Sequence, residues 1–219
     1  MLDLTMIVLL FPALLLFGIV ISLLVKGSSP GPVLFRQQRV GYKGRKFTFF
    51  KFRTMRVDAD SGSHQDHTRQ LIHTEAPMIK LDDFSDPRLL PIGSALRATG
   101  LDELPQLLNV LRGEMSIVGP RPCMPYEYEL YKSWQRRRFN AVPGLTGLWQ
   151  VSGKNRTTFN QMVRLDIEYG ERLSLWLDLM IIAKTFPTLC RQCLEVLASK
   201  RKQAVSSGQE RAKPVQSNL

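Results

Sequence analysis

The feature that most constrains the fold is an apolar run from Leu4 to Val25, near the start of the chain. Four residues interrupt it: Thr5, Pro12, Gly18 and Ser22. A helix over this run would be about 33 Å long, enough to cross the hydrocarbon core of a bilayer. No basic segment precedes the run and no small-residue cleavage site follows it, so a cleaved signal peptide is not expected. We therefore predict a membrane helix over residues 1–26.

The course of this helix depends on Pro12, which lies in the middle of the run. Proline donates no backbone hydrogen bond and its ring clashes with the carbonyl of Val8, so we predict a kink there. Basic residues are concentrated directly after the run: Lys26, Arg36, Arg39, Lys43, Arg45 and Lys46. This asymmetry predicts that the domain after the helix lies on the cytoplasmic face. Length alone favours a helix that spans the bilayer.

The charge of the chain limits its partners. The formal net charge is +11 and the isoelectric point is about 9.9. This balance favours nucleic acid, an anionic membrane surface or a phosphorylated substrate. The sequence has no helix-turn-helix, zinc or base-stacking signature, so no nucleic-acid partner is expected. A multi-pass membrane enzyme would need several apolar runs of about 20 residues, and this sequence has a single one.

Cysteine and histidine usage gives no metal site. Three cysteines, an odd and sparse set, argue against a disulfide framework and fit a reducing compartment. Cys190 and Cys193 are interpreted as small apolar residues one helical turn apart. The polar segment from Asp58 to Asp86 is predicted to be a mobile surface loop. It contains the side chains that a metal site would need, Asp60, His64, Asp66 and His67, but nothing in the pattern fixes their geometry.

After the membrane helix, the patterns predict a helix-rich α+β domain over residues 27–198. Val33–Phe35 and Lys46–Phe52 have the composition of two strands around a turn at Gly41–Gly44, which predicts a hairpin. Helices are expected over residues 126–139, 157–169 and 173–186. The last of them is too short and too interrupted by charge to span a membrane, so an amphipathic interfacial helix, with Trp176 near the membrane boundary, or a core helix is expected. The polar tail, residues 199–219, is predicted to be disordered.

Two adjacent carboxylates, Asp102 and Glu103, lie at the predicted start of a helix. Its apolar face is marked by Leu104, Leu107, Leu108 and Leu111. Asp102 suits the N-cap position, and Pro105 then falls in the first turn, where its missing N–H costs little. A helix N-terminus attracts phosphate, so a carboxylate there suggests a nucleophile aimed at phosphorus. An ordinary acidic cap explains the same residues, and the pattern alone leaves both interpretations open.

Longer motifs surround this acidic pair. KFRTM precedes it, LDELPQLLNVLRGEMSIVGPRP contains it, and PGLTGLWQVSGKN follows it. From Leu4 to Phe186 the chain resembles the bacterial sugar transferase family, the monotopic polyprenol-phosphate phosphoglycosyl transferases. The resemblance implies an enzyme of the bacterial inner membrane with its catalytic domain on the cytoplasmic face. It also implies a re-entrant helix that bends at a Ser-Pro pair, although this chain has Phe11-Pro12 there.

The resemblance further implies a covalent mechanism. Asp102 would attack the sugar-bearing phosphate of a UDP-sugar, and UMP would leave. A polyprenyl (undecaprenyl) phosphate would then take the phospho-sugar from Asp102, in the first membrane step of polysaccharide or glycoconjugate synthesis. Glu103 would assist either metal placement or proton transfer. The identity of the sugar stays open, as does the choice between a monomer and a homodimer.

Nearby cations would offset the repulsion between the carboxylate and the diphosphate. Two unit charges 4 Å apart repel by roughly 4 kcal/mol at an effective dielectric of 20. The candidate phosphate-binding residues are Lys51, Arg53, Arg97, Arg121 and Asp166, the last with either a structural or a substrate role. Arg121 stands between two prolines and suits bidentate phosphate contact. Mg²⁺ is the expected cofactor with Asp102 as a ligand, because Mg²⁺ binds one or two carboxylates together with phosphate oxygens.

Overall fold

A computed structural model describes residues 2–57, 62–74, 76–78, 86, 88–153 and 156–211. This part of the chain is helix-rich with two small sheets, as the sequence predicts. Its α-helices are α1 Leu2–Ser28, α2 Gly62–His73, α3 Gly93–Thr99, α4 Leu107–Leu111, α5 Pro125–Leu130, α6 Leu148–Val151, α7 Phe159–Glu171 and α8 Leu175–Arg211. Its strands are β1 Leu34–Val40, β2 Lys46–Phe52, β3 Ser116–Val118 and β4 Gly144–Thr146. Short 3₁₀ helices cover Tyr42–Gly44, Leu101–Gln106 and Gln135–Asn140.

Helix α1 continues through Pro12 and is long and apolar enough to cross a membrane. Both of its ends contact the rest of the protein. Near the start, Ile7 is buried with Phe47 and Phe49. Near the end, Ile21 and Val25 are buried in a second cluster around Phe52, Leu90 and Leu96. The apolar side chains between these ends are mostly exposed, so the middle of the helix lacks protein cover in the described part of the chain.

The predicted hairpin is confirmed. Strands β1 and β2 are antiparallel, with Leu34 opposite Phe52 and Val40 opposite Lys46. Strand β1 is longer than the predicted Val33–Phe35, because its whole length pairs with β2. Side chains on a strand alternate between two faces. The hairpin therefore buries the rings of Phe47 and Phe49 on one face, toward α1 and α4, and the rings of Phe50 and Phe52 on the other.

A short parallel sheet joins two distant segments. Ser116 of β3 pairs with Gly144 of β4, and Val118 pairs with Thr146. The two backbones come so close after β3 that a Cβ on Gly144 would lie 2.1 Å from the amide nitrogen of Gly119. Only glycine permits this approach. The contact fixes the start of the loop that carries Arg121.

Three predicted segments differ from the structure. Residues 62–73, predicted as loop, form α2, because Leu71 and Ile72 are buried beside α5 and α7. The predicted helix over residues 126–139 is interrupted at Tyr131, whose backbone is extended and whose ring is buried against Phe139 and Phe159. Helix α8 continues to Arg211, so residues 199–211 are helical and not disordered. That segment contains helix-forming Lys, Arg, Gln and Ala and no proline before residue 214.

The histidine-containing segment gives no metal site in the part that the structure describes. Asp60 and the side chain of His64 lie outside the described residues. Asp66 forms an exposed ion pair with Arg69, at 3.7 Å. The described residues contain no group of three or more His, Cys, Asp or Glu side chains placed to hold a metal.

Candidate active site

The acidic pair is presented by a sharp change of direction after α3. Gly100 has φ of +72°, a left-handed conformation that favours glycine, and it ends α3. The 3₁₀ turn Leu101–Gln106 begins directly after it, and the N–H of Glu103 donates to the carbonyl of Gly100 at 3.1 Å. Gly100 is therefore the N-cap, and the prediction of Asp102 at that position is wrong. Asp102 lies inside the turn and is buried, with 7% of its surface exposed.

The predicted apolar face of the following helix is half wrong. Leu104 and Leu107 pack against buried clusters, but Leu108 and Leu111 are 45% and 50% exposed. The side that faces the hairpin instead buries polar residues. Among them, Asn109 is fully buried, and its amide donates to the carbonyl of Thr48 at 2.7 Å and accepts from the N–H of Phe50 at 3.3 Å. These bonds fix the helix next to β2.

Lys51 approaches Asp102 from strand β2. The pKa of Lys51 is lowered to about 8, chiefly by burial and then by the charge of Arg97, while the charge of Asp102 acts in the opposite direction. The Lys51 ammonium also lies 5.1 Å from the centre of the Phe35 ring. The charges of Arg97 and Asp102 therefore both act on the Lys51 ammonium.

Arg97 is positioned by its neighbours on both sides. Its Nε donates to Oγ1 of Thr54 at 3.0 Å, which ties α3 to the segment after β2. From α8, the amide of Gln192 donates to the carbonyl of Arg97 at 3.3 Å. The last helix therefore supports the backbone on which this arginine is carried.

Arg121 reaches the acidic pair from the loop after β3. Its guanidinium lies 3.8 Å from Oε1 of Glu103, and both side chains are partly exposed. The loop is held from behind by Arg138, which donates to the carbonyl of Arg121 at 2.8 Å. Arg138 also donates to the hydroxyl of Tyr131 at 2.8 Å.

Asp166 is the buried counter-charge of Arg138. Their nearest atoms are 2.5 Å apart, and each side chain is only 2% exposed. Burial raises the pKa of Asp166 to about 6, and the guanidinium of Arg138 opposes that shift. Asp166 therefore acts through Arg138 on the backbone of Arg121. This geometry favours the structural one of the two roles predicted for it.

Arg53 differs from the other predicted cations. Its two terminal nitrogens donate to the carbonyls of Pro30 and Ser29, at 2.7 and 2.8 Å. The side chain is only 5% exposed. These contacts assign Arg53 to the connection between α1 and β1, where its guanidinium fixes the turn by binding two successive carbonyls.

Two further residues line the site. Arg39 of β1 and Gln106 at the end of the 3₁₀ turn share a cleft with Glu103 and Arg121. Sequence reasoning counted Arg39 only among the basic residues that follow the membrane helix, and it passed over Gln106. Strand alternation separates Arg39 from Arg36, but only the tertiary contact with Phe49, 5.3 Å from the Arg39 guanidinium to the ring centre, identifies its environment.

The site combines two adjacent carboxylates with Lys51, Arg97, Arg39 and Arg121, on a fold that carries a membrane-length apolar helix. This defines a class: a membrane-associated protein with a basic site for phosphate-containing substrates. The comparisons with known proteins agree. A model of the family described as "Bacterial sugar transferase" matches residues 1–192. The chain belongs to that family.

Three relatives illustrate the similarity. Galactosyl transferase CpsE of Streptococcus agalactiae serotype III (strain NEM316) is 48% identical over 177 residues, which cover 78% of this chain and 38% of CpsE. The exopolysaccharide production protein ExoY of Rhizobium meliloti (strain 1021) is 41% identical over 193 residues, 81% of this chain and 80% of ExoY. UDP-glucose:undecaprenyl-phosphate glucose-1-phosphate transferase of Caulobacter vibrioides (strain ATCC 19089 / CIP 103742 / CB 15) is 41% identical over 188 residues, 82% of this chain and 64% of that protein. The chain therefore spans about two fifths of CpsE and four fifths of ExoY.

Proposed function

We propose that this protein transfers a sugar-1-phosphate from a UDP-sugar to undecaprenyl phosphate. The names of relatives support both substrates, since they include UDP-glucose:undecaprenyl-phosphate glucose-1-phosphate transferase and undecaprenyl-phosphate galactose phosphotransferase. The observation that carries the proposal is the environment of Asp102. It is a buried carboxylate whose charge acts on Lys51, which Arg97 also influences.

Asp102 is the proposed nucleophile. One of its carboxylate oxygens attacks the sugar-bearing phosphorus, the bond from that phosphorus to the UMP oxygen breaks, and an aspartyl phospho-sugar remains. A phosphate oxygen of undecaprenyl phosphate then attacks the same phosphorus, and the bond to Asp102 breaks. The products are UMP and a diphosphate-linked lipid sugar, and Asp102 is regenerated as a carboxylate.

Fixed cations make this approach possible. The charges of Lys51, Arg97 and Arg121 offset the repulsion between the carboxylate and the diphosphate, and they are in position before the substrate arrives. Glu103, held beside Arg121, is the group that can accept a proton or assist a metal ion. Asp166 and Arg138 keep the Arg121 backbone in place.

Asp102 and Glu103 fit Mg²⁺ by the chemistry of their donor oxygens. Mg²⁺ keeps several waters and binds through one or two carboxylates together with substrate phosphates, so it does not need a complete protein cage. The described residues offer no such cage, but they offer this adjacent carboxylate pair. When bound, Mg²⁺ would neutralise phosphate charge.

The contacts of α1 support a re-entrant course in the membrane. A straight helix of this length across a bilayer would carry Asp3 and Val25 to opposite surfaces. Here Asp3 accepts hydrogen bonds from the hydroxyl of Ser116 at 2.8 Å and from the N–H of Ile117 at 3.3 Å. Val25, at the other end, is buried against the same domain. We therefore propose that the exposed middle of α1 enters one leaflet and that both ends stay on the cytoplasmic face.

A second element, helix α8, also supports contact with the membrane. It exposes the large apolar side chains of Leu175, Trp176, Leu179, Phe186, Leu194 and Leu197. At 100° per residue these positions share one face. Exposed Lys184 and Arg191 border that face, as cations do on helices that lie at a lipid surface.

The proposed function is tested with purified protein, radiolabelled UDP-sugars and undecaprenyl phosphate, followed by organic extraction. UDP-glucose, UDP-galactose and N-acetylated deoxysugar donors are assayed in parallel, because the site does not identify the sugar. Label in the organic phase together with UMP in the aqueous phase is the expected result. Release of free sugar phosphate and UMP without lipid product would indicate hydrolysis of the diphosphate bond instead of transfer.

A further inference from the structure

The end of α3 receives hydrogen bonds from the side chains of another helix. The last carbonyls of an α-helix have no intrahelical donor, because the N–H groups that would reach them lie beyond its end. In α3 the carbonyl of Arg97 accepts from Nε2 of Gln192 at 3.3 Å, and the carbonyl of Ala98 accepts from Sγ of Cys193 at 3.4 Å. Both donors belong to α8. A thiol is a weak donor, so Gln192 makes the stronger of the two contacts.

The same stretch of α8 reaches the residue that begins the acidic turn. A Cβ on Gly100 would lie 3.5 Å from Cδ2 of Leu189, which is an ordinary van der Waals distance. Arg97 is therefore held at two points. Its side chain donates to Thr54, and its backbone accepts from Gln192. The second contact sets the direction in which the arginine side chain leaves the helix, so it bears on the place of the guanidinium in the site.

The place of Gln192 is set by earlier residues of α8. Asp178 accepts from a tyrosine hydroxyl of α7 at 2.8 Å, Ile181 is fully buried, and the hydroxyl of Thr185 shares a hydrogen bond of 2.7 Å with a threonine of β4. At 100° per residue these three residues and Gln192 lie within about 60° of one another. Helix α8 is therefore docked along one face before it reaches α3, and loss of the Gln192 amide would leave the other anchors in place.

We propose that Gln192 is a positioning residue for the donor substrate: through the carbonyl of Arg97 it orients the guanidinium that binds the diphosphate of the UDP-sugar. The proposal rests on the proposed function, which assigns Arg97 to that diphosphate, and adds a residue 95 positions further along the chain. A guanidinium binds phosphate oxygens in a fixed fork geometry, so a small tilt of the backbone that carries it weakens binding. Gln192 acts through Arg97 and has no contact with the substrate itself.

A double-mutant cycle separates positioning from general support of the fold. UDP is the probe, titrated calorimetrically into the full chain in detergent with Mg²⁺. Gln192→Met removes the amide donor at similar size and should weaken UDP binding about three- to tenfold, the loss typical of one neutral hydrogen bond. Arg97→Ala removes the guanidinium and should weaken it about 10- to 100-fold. In the Arg97→Ala background, Gln192→Met should change UDP affinity by less than about twofold, because no guanidinium remains to be oriented.

Three variants complete the cycle. Gln192→Lys returns a donor to the carbonyl, since lysine side chains bind the last carbonyls of helices, and should restore UDP affinity only while Arg97 is present. Gln38→Met is the matched control: it removes one exposed side-chain bond, to Thr48 at 3.1 Å, and should leave UDP affinity unchanged. Asp178→Leu loosens α8 about 21 Å away along the helix and gives the affinity loss that destabilisation alone causes, which should stay below about twofold.

Turnover adds a second readout. In Gln192→Met the KM for the UDP-sugar should rise about three- to tenfold, whereas the KM for undecaprenyl phosphate should stay within about twofold. The assignment is overturned by unchanged UDP affinity in Gln192→Met, by equal losses with and without Arg97, or by an equal loss in Asp178→Leu.

The two proposals fail separately, because UDP binding needs no catalysis. Wild-type protein that shows the expected coupling between Gln192 and Arg97 but makes no lipid product would refute the transferase and keep the positioning role. Active protein in which the two substitutions act independently on UDP affinity would refute the positioning role and keep the transferase.

Discussion

Lys51 gives the sharpest test of the proposed electrostatics, because its charge should control activity within an accessible pH range. The structure lowers its pKa to about 8, mainly through burial and then through Arg97. If protonated Lys51 binds the donor diphosphate, kcat/KM for the UDP-sugar is highest when the side chain is charged. Activity is therefore lost as pH rises, and the loss is centred on the pKa of the free enzyme.

The size of the loss follows from that pKa. A group with a pKa of about 8 is about nine-tenths protonated at about pH 7 and about one-tenth protonated at about pH 9. We therefore expect kcat/KM to fall about tenfold over this interval. The profile of kcat should lie at higher pH, because the bound diphosphate favours the charged form of Lys51.

Lys51→Arg tests the assignment, since an arginine stays protonated across the whole range. The variant should keep measurable activity and lose the decline between neutral and alkaline pH. Lys46→Arg, at an exposed position of the same strand, is the matched control and should keep the wild-type profile. A Lys51→Arg enzyme that still declines with an apparent pKa near about 8 would refute the role of Lys51.

Three further outcomes follow from the site. Asp102→Asn should abolish lipid product without unfolding the protein, and intact-mass analysis after incubation with a UDP-sugar should show an added phospho-sugar on the wild type only; a comparable rate in the variant would exclude Asp102 as the nucleophile. Asp166→Asn leaves Arg138 buried without its counter-charge, so the free energy of unfolding should fall by about 3–5 kcal/mol in denaturant titrations, and an unchanged midpoint would contradict the buried pair. Excess EDTA should stop turnover and Mg²⁺ should restore it, whereas full activity in EDTA would remove the metal from the mechanism.

Short-range sequence patterns predicted the structure correctly where a segment's own residues determine its conformation. The hairpin was predictable because alternating residues such as Phe47 and Phe49 and the glycines of its turn lie close together in the sequence. The acidic pair was identified from local spacing and from the family motifs. The residue that caps this turn was not identified from the sequence, because Gly100 takes a left-handed conformation and begins the turn before Asp102.

Long-range contacts explain the remaining differences. Leucine spacing indicated an apolar stripe on α4, but hydrogen bonds from Asn109 to the hairpin decide which side is buried and leave Leu108 exposed. Arg53 and Arg39 look alike in sequence. The terminal nitrogens of Arg53 bind the carbonyls directly after α1, and Arg39 lies near Arg121, which is carried by a different element. Only the fold distinguishes them.

The topology of α1 can be decided by the location of its first residues. If the helix is re-entrant, the bond from Asp3 to Ser116 forms on the cytoplasmic face, and the chain returns after the bend that we predict at Pro12. A single cysteine in place of Leu2, in a chain whose three native cysteines are replaced, would report which face it occupies. A membrane-impermeant maleimide should label it in lysed cells and not in intact spheroplasts, and a cysteine in place of Lys43 serves as the cytoplasmic control.

Asp3→Leu and Pro12→Ala then test what holds the re-entrant form. Removing the Asp3 carboxylate eliminates two hydrogen bonds to a charged group, each of which contributes about 1.5–3 kcal/mol. That loss is large enough to shift a balanced equilibrium toward a spanning helix, since each 1.4 kcal/mol changes a ratio by about tenfold. Pro12→Ala restores one backbone hydrogen bond and should shift the helix in the same direction.

Both variants should increase labelling in intact spheroplasts and lower activity, because the active site must meet the lipid phosphate at a fixed depth. Strong labelling of the unsubstituted helix in intact spheroplasts would show a spanning α1, and the contact of Asp3 with Ser116 would then have to be absent in the membrane.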